Sequence, residues 1–288
     1  MKPFLPLLLI CLLADLFNPA YTAAQNTEGE ALLPDPGIVS YTFRNQFADD
    51  VPGTLDMIRE MGFTNIEFSN LFGRSASEMR TLLDERGLIC TSYGVSYDNL
   101  VNNTERVAEE AAILGASFVR VAWIPHESPF DIEDARQAIE DFEAAGKYLK
   151  DQNITFSYHN HGYEFRPYGE GTLFDYMVQN SNPDYVNFQL DTFWVAQPGH
   201  DPVQLLEKYP DRFTLVHLKD LKKGAEHDYS GGAPAEYDVQ LGTGQIDFER
   251  LLRAAQHSNI EFFYIEDETE DVVSRVPRSR DYIQSITE

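Results

Sequence analysis

The chain has 288 residues, 43% of them hydrophobic, and carries 47 Asp and Glu against 22 Lys and Arg, a formal charge of −25. A surface that acidic repels phosphate backbones and anionic headgroups, which excludes nucleic acid and membrane surfaces as natural partners. With only two cysteines, Cys11 and Cys90, no disulfide framework is available and stability must come from a packed core.

The N-terminus reads MKPFLPLLLICLLADLFNPAYTAAQ. Lys2, the apolar run from Phe4 to Leu13 and the small residues Thr22, Ala23 and Ala24 predict a signal peptide over 1–24, whose apolar part is too short to span a bilayer. Asp15 breaks the pattern, and an amphipathic N-terminal helix is the competing reading. A polar linker is expected over 25–35 and a single domain over 36–288. The expected location is outside the cytoplasm, periplasmic or secreted, with no membrane span in the mature chain.

From residue 37 strand and helix patterns alternate. GIVSYTF (37–43) reads as a strand and 49–62 as a helix stopped by Gly62. FTNIEF (63–68) precedes a helix over 75–87, opened by a serine and closed by Gly87. LICTSYGVS (88–96) is followed by a helix over 104–115, and SFVRVAW (117–123) by one over 131–152. ITFSYH (154–159), with its period of two, leads to a helix over 172–180. YVNFQLD (185–191) leads to 201–209, FTLVHLKD (213–220) to 247–258 after a long Gly-rich loop, and FFYIEDE (262–268) to 271–286. Eight strand–helix units without a hairpin between successive strands demand parallel strands and right-handed crossovers. At this size such a sheet closes, so the expected fold is α/β, an eight-stranded parallel (β/α)8 TIM barrel. A doubly wound open sheet is the runner-up, but the first strand runs into Thr42-Phe43-Arg44-Asn45-Gln46 without a glycine-rich phosphate turn.

In such a barrel the active site lies at the carboxyl ends of the strands. Polar residues stand at those ends: Glu67 on strand two, His159 and His161 on strand five, Gln189 and Asp191 on strand six. His217, Lys219 and Asp220 end strand seven, and Glu266 and Glu268 end strand eight. Taken singly, Glu67 reads equally as a loop cap, His217 as a hydrogen-bonded core histidine, and Lys219 with Asp220 as a surface ion pair. Together, so many ionisable groups in one mouth are costly unless paired or bound to a metal. Carboxylates and imidazoles without cysteine suit a divalent ion such as Mn²⁺, Zn²⁺, Co²⁺ or Fe²⁺. An ion so held polarises a carbonyl, and a base beside it removes the neighbouring proton, so one imidazole of His159-Asn160-His161 can be a ligand and the other the base. Tyr93, Tyr97, Trp123, Phe193 and Trp194 lie at or past strand ends, where rings can stack on sugars, although Tyr93 reads better as packing.

The series YHNH, QLDTFW, VHLKD, LGTGQIDF and YIEDE resembles the xylose isomerase-like barrel superfamily, in its sugar phosphate isomerase/epimerase branch, over residues 36 to 286. The resemblance implies Asp191, His217 and Glu266 as metal ligands. His159 stands where the family commonly has a Glu, with Glu164 as the rival fourth ligand, and Mn²⁺ is the expected ion. His161 is the expected base, with Lys219 and Glu67 orienting hydroxyls or steadying an enediolate oxygen. Gln189, Trp194, Glu164 and Trp123 are the expected substrate contacts. Proton abstraction alpha to a sugar carbonyl then serves epimerisation, isomerisation, dehydration or lyase cleavage of 3-keto-glycosides. Without a basic cluster, the expected partner is a neutral sugar or keto-glycoside. A barrel that binds carbohydrate without turnover is the alternative from another class. The acidic surface is compatible with a homo-oligomer.

Overall fold

The computed structural model describes residues 35–287. The expected signal peptide, and all of the linker but Asp35, lie outside the described residues. The barrel strands are β1 (Gly37–Val39), β2 (Asn65–Phe68), β3 (Ile89–Gly94) and β4 (Phe118–Val121), then β5 (Thr155–His159), β6 (Asn187–Asp191), β7 (Phe213–Leu218) and β8 (Phe262–Ile265). Each neighbour pair is parallel, and β1 pairs with both β2 and β8, which closes the barrel. Around it run α1 (Val51–Glu60), α2 (Ala76–Arg86), α3 (Thr104–Leu114), α4 (Ile132–Asp151), α5 (Leu173–Asn180), α6 (Pro202–Lys208), α7 (Phe248–Ala255) and α8 (Val272–Thr287). The parallel barrel expected from the strand and helix patterns is therefore present. None of the described helices is long and apolar enough to cross a membrane.

Local chemistry sets the helix ends. Ser75 and Glu78 form a capping box at the start of α2, and Gly87 ends it in the left-handed region at φ 62°. Asp131 caps α4 with Asp134 in the same way, and Asp247 accepts the Arg250 amide at the start of α7. The amphipathic helices lay apolar stripes on outward strand residues such as Ile66, Val119, Phe156, Phe188, Val216 and Phe263. Inside the barrel, Val39, Phe118, Leu215 and Tyr264 form a separate apolar plug.

Two departures from the pattern matter for function. β1 is shorter than 37–43, because Ser40–Phe43 turns into a 3-10 helix followed by a helical turn over Arg44–Asp49. There Ser40 Oγ accepts the Ser69 amide at 2.8 Å, and Thr42 Oγ1 accepts the Asp267 amide at 3.1 Å. These tertiary bonds fold the segment over the rim. Short antiparallel hairpins also stiffen the long loops, pairing Pro167–Tyr168 with Gly171–Thr172 and Asp220–Leu221 with Asp238–Val239.

Candidate metal centre

Alternation along the strands sends every second side chain inward, so residues two apart stand at successive heights in the barrel. Register then sets the neighbours. Asp191 on β6 lies opposite His217 on β7, His217 opposite Tyr264 on β8, and His159 on β5 opposite Gln189. One donor atom each from His159, Asp191, His217 and Glu266 falls within 4.8 Å of the others, and all four residues are buried. His217 Nδ1 is 2.8 Å from Glu266 Oε2, 3.1 Å from His159 Nε2 and 3.6 Å from Asp191 Oδ2. His159 Nε2 is 3.3 Å from Asp191 Oδ2.

Those spacings and that chemistry fit a cation. Donors about 2.1 Å from an ion lie roughly 3.0 to 3.4 Å apart in octahedral or tetrahedral arrangements. The other His217 nitrogen, Nε2, is 2.6 Å from Glu67 Oε1. If Nε2–H donates there, Nδ1 is a bare acceptor facing two carboxylate oxygens and a second imidazole, and one proton cannot satisfy all of them. Burial would lower the His217 pKa, but the Glu67 and Glu266 carboxylates outweigh it and hold it well above the ordinary imidazole value. Burial would likewise raise Glu266, yet Lys219 and His217 keep its carboxyl low. Burial lowers His159. A divalent ion would replace the proton on His217 Nδ1, while Glu67 keeps the one on Nε2.

Supports surround these donors. Asn160, the middle residue of the HNH run, accepts the Asp191 amide at 2.9 Å and donates to the Asp191 carbonyl at 3.3 Å. Asp191 Oδ1 accepts the Trp194 amide at 2.8 Å, which leaves Oδ2 for the cluster. Glu67 is fully buried, 3.0 Å from Arg120 Nε, and accepts from Gln189 Nε2 at 2.8 Å. Burial opposes its ionisation, but Arg120 and His217 pull its pKa well below the carboxylate range. Gly94 makes room for this pair, since a Cβ there would lie 2.9 Å from an Arg120 nitrogen and 2.8 Å from the Phe68 carbonyl oxygen.

The structure places several expected site residues elsewhere than at a substrate. Glu67 and Gln189 sit one layer below the donors, where Glu67 holds His217 and Gln189 holds Glu67 rather than a hydroxyl. Glu164 is neither an open ligand nor a substrate contact: its oxygens accept the His161 amide at 3.0 and 3.1 Å and the Tyr158 hydroxyl. Burial pushes its pKa up to about 7. Asp220 does not pair with Lys219; it accepts the amides of Gly242, Gly244 and Ile246 and pins the LGTGQI turn. Tyr93 and Tyr97 turn away to Glu110 and Asp141.

Other residues do reach the mouth. The His161 ring lies 5.0 Å from those of His159 and Trp194 and 5.2 Å from that of Trp123. Burial, then the neighbouring His159, holds His161 well below the usual imidazole pKa, so it is neutral and can accept a proton. Lys219 Nζ pairs with Glu268 and lies 5.1 and 5.3 Å from the centroids of the Phe193 and Trp194 rings. Burial disfavours its charge, but Glu266 and Glu268 keep it protonated. Arg120 went unread in the sequence, although a lone Arg inside the apolar strand SFVRVAW is a signal for a buried charge with a partner.

Residues 55–287 match the model of the xylose isomerase-like TIM barrel family. An inosose dehydratase of Geobacillus kaustophilus is 24% identical over 205 residues, 60% of this chain and 66% of that protein. The chain spans between about half and two thirds of the length of the first curated relatives it matches. Among solved structures, a sugar phosphate isomerase/epimerase from Parabacteroides distasonis superposes with a TM-score of 0.73 at 24% identity, covering 88% of this chain and 95% of that one. A structure of the IOLI protein with a bound zinc atom gives 0.68 at 13% identity, covering 88% and 96%. The chain belongs to the xylose isomerase-like TIM barrel family.

Proposed function

We propose that this xylose isomerase-like barrel is a divalent-metal-dependent lyase that removes the proton alpha to the carbonyl of a neutral sugar derivative and expels the substituent on the next carbon. The observation that carries the reading is the convergence of His159, Asp191, His217 and Glu266 beside the neutral imidazole of His161. Those four residues would hold the ion, Mn²⁺ in the first instance, with Zn²⁺, Co²⁺ or Fe²⁺ as alternatives. When bound, it supplies Lewis acidity that polarises a carbonyl. His161 takes the alpha proton, and its amide, held by Glu164, fixes where the ring stands. Lys219 keeps a fixed positive charge near the carbonyl oxygen as negative charge develops there. Trp194 packs beneath both groups.

Elimination is favoured over epimerisation because the curated relative named above is a dehydratase. Epimerase or isomerase chemistry on a free ketose is the second outcome of the same proton abstraction. A neutral substrate is favoured because the buried cations nearest the donors are each paired with a carboxylate: Arg120 with Glu67 and Lys219 with Glu268. Export by a leader over 1–24 would also separate the enzyme from phosphorylated metabolites.

The test is release of a chromogenic alcohol from a 3-keto-glucoside by the purified protein with Mn²⁺. We expect release that EDTA abolishes and that His161→Ala lowers by about 10²- to 10⁴-fold in kcat with the metal still bound. No release, together with no solvent deuterium entering a sugar ketone from D₂O, would overturn the reading.

A further inference from the structure

Lys219 carries its charge at the end of a flexible stem, so its place at the mouth has to be set by other groups. The Phe193 and Trp194 rings, 5.1 and 5.3 Å from Nζ, offer broad faces and no single contact point. Glu266 also attracts the ammonium, but it is one of the four converging donors. That leaves Glu268, whose carboxylate pairs with Nζ. A pair to a side chain 32% exposed is ordinarily loose and worth little. This one is held. The Glu268 amide donates to Asp238 Oδ2 at 2.7 Å, in the hairpin of the loop after β7. Its carbonyl accepts from Arg44 Nη2 at 2.9 Å, in the helical turn after β1. Arg44 is fixed in turn: Nη1 donates to the Tyr41 carbonyl at 3.1 Å, and the guanidinium lies 4.7 Å from the centroid of the Tyr41 ring. On the N-terminal side, Thr42 Oγ1 accepts the Asp267 amide at 3.1 Å, and Asp267 Oδ1 accepts the Thr269 amide at 3.0 Å.

Both Arg44 hydrogen bonds go to main-chain carbonyls and neither to a carboxylate, in a chain with 47 acidic residues. A guanidinium used in this way fixes backbone instead of balancing charge. Pinned at both its amide and its carbonyl, the Glu268 peptide cannot follow a moving lysine, so the carboxylate becomes a fixed point for Nζ. A charge that stabilises a developing oxyanion is effective only when it is in place before the reaction. We propose, resting on the lyase reading above, that Arg44, Asp238 and Glu268 are positioning residues for Lys219: the first two clamp the Glu268 peptide, and its carboxylate holds Nζ where the oxyanion develops. Arg44 acts at two removes, through the Glu268 carbonyl and then the Glu268 carboxylate. Its loss should therefore reach catalysis only through Lys219.

The experiment combines Arg44→Met, Arg44→Lys and Lys219→Met in the Mn²⁺-loaded chromogenic assay above. Arg44→Met should lower kcat about 10- to 100-fold with KM unchanged, and Arg44→Lys, which can still donate to the Glu268 carbonyl, should recover most of the loss. In the Lys219→Met background, Arg44→Met should cost nothing further. No effect of Arg44→Met, or a penalty of the same size in both backgrounds, overturns the clamp and leaves the lyase reading standing. A second readout needs no turnover: reductive methylation of Lys219 relative to exposed Lys223, followed by mass spectrometry on the same proteins. The Lys219 rate should rise severalfold in Arg44→Met and in Glu268→Gln. If wild type releases no alcohol but methylation of Lys219 quickens in both variants, the reaction fails and the clamp holds. If methylation is unaltered as well, both fail.

Discussion

At the scale of single residues, the centre depends on which atom of His217 holds a proton. Glu67 settles this by standing 2.6 Å from Nε2, and Arg120 keeps Glu67 ionised from 3.0 Å. Replacing Glu67 with Gln preserves size but removes the charge that favours Nε2–H and strengthens Nδ1 as a donor. Metal affinity should then fall about 10- to 100-fold, read by competition with a chelating dye, while the fold is kept. An unchanged affinity would mean that Glu67 merely fills space. Part of this arrangement was legible in the sequence, because all four converging donors stand at or just past strand ends. Depth was not. Period two tells which face a side chain takes but not its height in the barrel, so Glu67 and Gln189 looked like substrate contacts when they lie beneath the donors. Glu164 was misread for a related reason: only the turn after β5 shows that its carboxylate points back at the His161 amide.

At the scale of elements, helix ends were the most readable feature, since Ser75, Gly87, Asp131 and Asp247 each act through bonds to residues nearby in sequence. The truncated β1 and the hairpin closing the long loop after β7 were not readable, because distant partners make them. The hairpin of Asp220–Leu221 with Asp238–Val239 bears on function, since it carries Asp238. Asp238 accepts the Glu268 amide at 2.7 Å and lies 3.6 Å from Arg275. Burial pushes its pKa up to about 8; Lys219 opposes that, while the Asp267 carboxylate adds to it. The folded protein therefore keeps a proton that an unfolded Asp releases near pH 4. The contribution of Asp238 is fully present below that pH and is lost as pH rises through about 8. The stability of wild type relative to Asp238→Asn should fall from pH 5 to 8, at up to about 1.4 kcal/mol per unit, and level off above 8. Urea unfolding across that range measures it, and a difference that stays constant would show Asp238 ionised throughout.

At the scale of the whole molecule, a chain with a formal charge of −25 gathers further acidic groups at the mouth of its own barrel. Asp191, Glu266 and Glu67 are all buried there, held ionised by Arg120, Lys219 and the imidazoles of His159 and His217. The donors come from β5, β6, β7 and the end of β8, consecutive neighbours around the closed sheet. A divalent ion would thus link half of the barrel's circumference and take the place of the proton on His217 Nδ1. An unfolded chain offers no such site, so binding energy becomes folding energy. With the ion at 100 to 1,000 times its dissociation constant, the stabilisation should be about 2.7 to 4.1 kcal/mol. Thermal unfolding in EDTA should therefore occur several degrees below unfolding in Mn²⁺, and the gap should close in His217→Ala, which removes a donor. A gap that persisted in that variant would place the stabilising ion elsewhere, on the acidic exterior. High salt separates the two cases, since at 1 M it screens exterior charge within about 3 Å but leaves a buried, four-donor site almost untouched.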